Sequence, residues 1–282
     1  MRSSASSVAQ ATREQRVRTW TLYPPGTPGS EHNLTARVLH DGPETGVPVV
    51  FLHGLVGLNE HWEDLVDKIK HRARCLCLEL PLLQTPAHDC SIEGITRLTE
   101  RFLREEVGEP VVLVGNSFGG HVALRLAIQQ PQMLKGLVLA GSSGLIEKSI
   151  VSTVEIRPTR GWLHAKIAEL YFDPSNVREQ DVDRAFAALS QRGSVRAMVK
   201  LSRSARRDVL RGQVGQIKAP TLLVWGKQDV VTPPKAAVSF AELIPGSKLV
   251  WIDKCGHVPM AEGAEVFASA MHAFLDALGT GA

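Results

Sequence analysis

The chain has 282 residues, 44% apolar and 22% charged, a composition that can bury a large core and excludes a chain disordered on a large scale. Its formal net charge of +3 at pH 7 is too small to argue for a nucleic-acid partner. No apolar run approaches the roughly 20 residues that span a bilayer, and the N-terminus lacks the apolar stretch of a secretory signal. Cys75, Cys77, Cys90 and Cys255 have neither paired CxxC spacing nor the density of a disulfide framework, so reduced thiols in a cytoplasmic protein are expected.

In chain order, residues 1–16 are polar and Ser-rich and read as a flexible N-terminal tail. Segments 17–23 and 34–40 read as two strands of an antiparallel opening hairpin, parted by the turn-rich PPGTPG at 24–29. Apolar strands then alternate with amphipathic helices. Strands are expected at 47–52, 74–80, 110–115, 135–140, 220–225 and 247–252, and helices at 61–71, 91–107, 118–130, 234–243 and 262–277. This order predicts an α/β fold: a mostly parallel eight-stranded sheet with helices on both faces. Residues 144–218 are too long for a loop and carry helical patterning at 161–171 and 180–211, broken at Gly193. They are expected to form a helical cap subdomain inserted into a core made of 17–143 and 219–282.

Gly115-Asn116-Ser117-Phe118-Gly119 follows an apolar strand and opens a helix. A serine at such a sharp turn takes a strained backbone, so its neighbours at 115 and 119 must be glycine, and its hydroxyl stands clear at a helix N-terminus. A hydroxyl is a poor nucleophile at neutral pH unless a histidine takes its proton and a carboxylate orients that histidine. Asp229 in WGKQD and His257 in KCGH follow two later strands, in the order Ser, acid, His. Asp253 is the rival acid, but it stands only four residues before the histidine in the same loop. The Phe118 N–H is placed to donate to an oxyanion, and the loop His53-Gly54-Leu55-Val56-Gly57 offers the Leu55 N–H as the second donor. His53 is a candidate substrate contact as well as a loop-shaping residue.

HG at 53–54, GNSFGG at 115–120, WGKQD at 225–229 and CGH at 255–257 resemble the α/β-hydrolase superfamily over about residues 33–278. The resemblance implies a serine hydrolase acting through an acyl-enzyme. Asn116 and the Lys254–His257 run also resemble the branch that hydrolyses carbon–carbon bonds of meta-cleavage products. The HGLVG loop and Val258 depart from that branch, which carries a glycine-rich oxyanion loop and a tryptophan after the histidine. Residues 145–218 hold ten Arg and four Lys against eight acids, with a stripe at Arg196, Lys200, Arg203, Arg207 and Arg211. That stripe reads first as a solvated face, while Arg184 and Arg192, flanking the apolar AFAAL stretch, are candidates to hold a substrate carboxylate, and Asn116 is a further candidate substrate contact. Trp162, Tyr171, Phe172 and Phe186 are candidates for an acyl pocket. The histidines lack metal-ligand spacing and no Gly-rich phosphate loop is present, so neither metal nor organic cofactor is expected. The expected partner is a small-molecule substrate, anionic if an arginine enters the pocket. A ligand-binding module with vestigial catalysis is the alternative outside enzymology.

Overall fold

The computed structural model describes residues 17–57, 59–145 and 158–279. The expected tail at 1–16 and part of the expected cap lie outside them. Eight strands form one sheet: β1 Val17–Thr21, β2 Thr35–Asp41, β3 Val47–Leu52, β4 Ala73–Glu79, β5 Val111–Asn116, β6 Leu134–Ala140, β7 Thr221–Gly226 and β8 Lys248–Ile252. Their spatial order is β1-β2-β4-β3-β5-β6-β7-β8. β2 runs antiparallel to both β1 and β4, and all other pairs are parallel. The C-terminal ends of β3, β5, β6, β7 and β8 therefore meet along one edge, where open parallel sheets assemble their sites.

The helices are α1 Glu63–Ile69, α2 Ile92–Phe102, α3 Phe118–Gln129, α4 Arg160–Ala168, α5 Glu179–Ser190, α6 Ser194–Arg207, α7 Pro234–Leu243, α8 Pro259–Glu262 and α9 Ala264–Ala277. Strand side chains alternate between two cores, as the two-residue period of a strand demands. Val50, Leu52, Leu113, Leu137, Leu139, Leu223 and Trp225 pack with residues of α2, α3 and α7. Val49, Phe51, Val112, Val114, Val138, Leu222 and Val224 pack with α1 and α9 on the opposite face. Each fully buried side chain of this kind contributes roughly 1.5–3 kcal/mol.

Several expected helices are shorter or divided, each for a local reason. The segment at 61–71 begins as a 3-10 turn, Asn59–Trp62, before α1. The helix expected to reach residue 107 loosens after Phe102 into a π turn that ends where Gly108 takes φ 73°. Gly193, at φ 89°, parts α5 from α6, at the break expected there. The helix expected at 262–277 is divided at Gly263 into α8 and α9. The excursion between β6 and β7 closes on itself, because the Leu210 N–H donates to the Gly144 carbonyl at 2.9 Å.

Candidate active site

Ser117 occupies the turn from β5 to α3 with φ 53°, a region unfavourable for a residue with a β-carbon. The chain tolerates it because the flanking glycines let backbones touch. A β-carbon on Gly115 would lie 2.5 Å from the Gly119 carbonyl oxygen, and one on Gly119 would lie 2.4 Å from that of Leu52. No other residue fits either place without moving the sheet. Ser117 thus stands at the positive end of the α3 dipole, beside an N–H of Phe118 that has no carbonyl one turn earlier to receive it.

His257 and Asp229, both nearly fully buried, come from the loops after β8 and β7. His257 Nδ1 lies 2.9 Å from Asp229 Oδ2. Asp229 is itself fixed: its Oδ1 accepts the backbone N–H groups of Val231 (2.8 Å) and Thr232 (2.9 Å), and Thr232 Oγ1 donates to its Oδ2 at 2.8 Å. The backbone of His257 is held on two sides. Its N–H donates to the Leu170 carbonyl at 2.7 Å, and its carbonyl accepts from Asn116 Nδ2 at 3.1 Å. Asp253 is exposed and faces Gln228 and Lys227, away from the imidazole. Burial pushes the neighbouring Cys255 thiol up to about 12, which keeps it protonated and unreactive at neutral pH.

Ser117 and His257 open on a common cavity of about 180 Å³ whose walls are mainly apolar. Leu55 and Phe118 line it beside them. Trp162 and Leu163 of α4, Tyr171, and Met198 and Ala205 of α6 close the side opposite the sheet. Of the aromatic candidates, Trp162 and Tyr171 reach the cavity, Phe186 lines a separate outer cleft, and Phe172 is largely exposed.

Four candidate substrate contacts are engaged elsewhere in the structure or lie outside the cavity. His53 turns under the loop: its Nδ1 lies 2.7 Å from the Gly54 carbonyl, and it borders Leu52, Leu78 and Leu80 outside the cavity. Burial holds its imidazole below the ordinary histidine value, against the opposing pull of Glu79. Asn116 touches the cavity, but its amide donates to the carbonyls of Ala140 and His257, so its hydrogens are committed to backbone. Arg184 is drawn out of the cavity by two carboxylates, Glu60 and Glu79 (3.1 Å to the latter), and shares both with Arg37. Arg192 lines the open outer cleft with Arg196, Lys200, Arg203 and Arg207. Among the described residues, the charged side chains that line the cavity are Lys166, Asp181 and Arg206, with His61 beside them. Thr232 went unmarked in the sequence, although a hydroxyl three residues after the acid in Asp-Val-Val-Thr is the signal of a side chain that closes a turn.

The family model described as "Alpha/beta hydrolase family" matches residues 49–270. The pimeloyl-[acyl-carrier protein] methyl ester esterase of Nitrosomonas europaea is 27% identical over 247 residues, which cover 81% of this chain and 95% of that enzyme. The 2-hydroxymuconate semialdehyde hydrolase of Pseudomonas sp. (strain CF600) is 31% identical over 176 residues, 59% of this chain and 62% of that enzyme. Among solved structures, an alpha/beta hydrolase enzyme from the sediment metagenome of the Mar Chica lagoon, Morocco, is 30% identical with a TM-score of 0.69, covering 86% of this chain and 95% of that one. A serine hydrolase involved in carbazole degradation shares the fold, with a TM-score of 0.75 at 24% identity over 93% of this chain and 98% of that one.

Proposed function

The chain belongs to the alpha/beta hydrolase family, and from that premise we propose that it is a serine hydrolase cleaving a carboxylic ester of a small molecule through an acyl-enzyme. One observation carries the proposal: a serine at positive φ opens on the same cavity as a buried histidine whose far nitrogen is 2.9 Å from a buried, fully bonded aspartate. Ser117 Oγ attacks the ester carbonyl carbon while His257 Nε2 takes its proton. The carbonyl oxygen becomes an oxyanion held by the N–H groups of Phe118 and Leu55, each contributing roughly 10²–10³ in rate. Collapse expels the alkoxide, which leaves with the proton from His257. Water, deprotonated by His257, then attacks the acyl carbon, and the acid is released as Ser117 regains its hydrogen. Asp229 orients the imidazole throughout and stabilises its charged form. Helices α4 to α6 of the inserted segment act as the cap that shields this chemistry from bulk water, and the small substrate enters beneath them.

The 27% identity to a methyl ester esterase over 81% of this chain and 95% of that enzyme supports ester cleavage as the first reading. The relative that acts on 2-hydroxymuconate semialdehyde, together with Asn116 against the His257 backbone, supports a second: the same triad cleaving a carbon–carbon bond beside a ketone. Ser117→Ala should lower turnover of short p-nitrophenyl esters by more than about 10³-fold while the protein keeps its fold, and a fluorophosphonate should label Ser117 in the wild type. Full ester turnover by the folded Ser117→Ala protein would remove the proposal. Faster turnover of a meta-cleavage dienoate than of any ester would move it to the second reading.

A further inference from the structure

The reacting residues account for one end of the cavity only. Elsewhere its apolar wall is broken by a second polar group of residues that the proposed chemistry does not use. Asp181, only 4% exposed at the start of α5, accepts from Arg178 Nε at 2.8 Å, and His61 Nε2 lies 3.3 Å from the same Oδ2. His61 and Asp181 line the cavity together with Tyr171. Tyr171 is 9% exposed, and its hydroxyl has no hydrogen-bond partner among the described residues. Its backbone packs against the His257 loop, so it borders the reacting end as well.

A buried carboxylate is a costly feature in an apolar wall unless other groups bond it. Arg178 and Asp181 offset each other's charge, so the group does not select a net charge. A carboxylate oxygen can only accept, so His61 Nε2 carries a hydrogen toward Asp181, and in the neutral imidazole Nδ1 is then an acceptor. Tyr171 can donate: burial first, and then Asp181, push its hydroxyl up to about 12, and it keeps its proton. An acceptor and a donor lining the same cavity match one neutral group above others, a hydroxyl, which both donates and accepts.

Resting on the ester-hydrolase reading, we propose that His61, held by Asp181, and Tyr171 form a specificity site for a hydroxyl group carried on the substrate. The substrate class is then a hydroxylated ester with an otherwise apolar body.

Binding can be measured apart from turnover. The Ser117→Ala protein would be titrated calorimetrically with methyl esters of increasing chain length that end in methyl, hydroxyl or carboxylate. At one length the hydroxyl ester should bind about tenfold more tightly than its methyl-ended parent, the gain of one to two satisfied hydrogen bonds. Adding Tyr171→Phe, which removes a single oxygen, or His61→Ala should abolish or reverse that preference, because the buried hydroxyl then lacks a partner. Equal binding of hydroxyl and parent esters at every length, a preference that survives both substitutions, or tighter binding of the carboxylate ester would each overturn the inference. Turnover of the same esters by the wild type reports on the hydrolase reading separately: a hydroxyl preference in binding with no turnover leaves the recognition site standing and removes the ester chemistry.

Discussion

The Thr232 hydroxyl is fully buried and lies 2.8 Å from Asp229 Oδ2, 3.0 Å from the Gly141 carbonyl and 3.2 Å from His257 Nδ1. It has one hydrogen for two oxygens, so it donates to the acid at the shorter distance or to the Gly141 carbonyl, and in either case it stands beside the imidazole nitrogen that faces the acid. Thr232→Val keeps the shape and removes the hydroxyl. Asp229 retains its two backbone donors, so the aspartate stays in place with more freedom, and we expect kcat to fall about tenfold with KM nearly constant. Asp229→Asn, which disturbs the tautomer itself, should cost about 10⁴. Steady-state kinetics on one p-nitrophenyl ester would decide it, and an unchanged kcat in Thr232→Val would reduce the hydroxyl to a packing role. Ser117, Asp229 and His257 were legible in the sequence because each sits in a short motif just beyond an apolar strand, and parallel strands deliver such positions to one edge. Thr232 was not, since a hydroxyl after an aspartate gains meaning only when Gly141 from another strand is beside it. Arg184 misled for a related reason: its partners Glu60 and Glu79 are more than a hundred residues away, and helix periodicity gives no hint of them.

Arg184 belongs to the joint between α5 and the sheet rather than to the cavity. With Arg37 it shares Glu60 and Glu79, so two cations and two carboxylates link the inserted helices to the end of β4. Burial raises the Glu60 carboxyl, but its own backbone N–H, then Arg184 and Arg37, more than offset this and hold it below the ordinary value of 4.5. The sign of the pH effect follows. The unfolded carboxyl takes up its proton near the ordinary value and the folded one only at lower pH, so the stability from this joint is fully present above about 4.5 and is lost as pH falls through the depressed value. Arg184→Ala should therefore cost about 1–2 kcal/mol near neutral pH, and the gap from wild type should narrow below the ordinary glutamate value. Urea unfolding across that range tests it, and a gap that stays constant to low pH would contradict the assignment. The ratio of neutral to carboxylate ester turnover should not change. Strand positions were more legible than helix ends: apolar β-branched runs such as Val47–Leu52 have few alternatives in a two-sided sheet, and Gly193 marked its own break, whereas the break at Gly263 depends on how the following helix docks.

At the scale of the molecule, the question is whether the helices between β6 and β7 unfold with the sheet. Their entry and exit are joined by the Leu210 to Gly144 hydrogen bond, which would suit an independent unit. Their packing says otherwise. Leu201 and Ala205 of α6, with Leu210, belong to the same core as β3, β5, α2 and α3, and Leu201 is fully buried there. A bond from the Ile92 N–H to Ser204 Oγ at 3.0 Å anchors the same helix to the start of α2. Leu163, Ala185, Leu189 and Met198 of the insertion form a small separate cluster with Leu83 of the body, and Leu55 and Val56 pack against it. Loss of a buried leucine side chain costs about 2–5 kcal/mol where the surroundings cannot collapse. Leu201→Ala should lower the stability of the whole protein by that amount, with far-UV circular dichroism and tryptophan fluorescence still reporting one coincident urea transition. Leu189→Ala, in the small cluster, should instead speed amide exchange in α4 and α5 with a smaller shift of the global midpoint, because local opening there leaves the shared core intact. Separation of the two optical transitions in Leu201→Ala would show the insertion to be an autonomous unit, and the wall it lends the cavity could then open without the sheet.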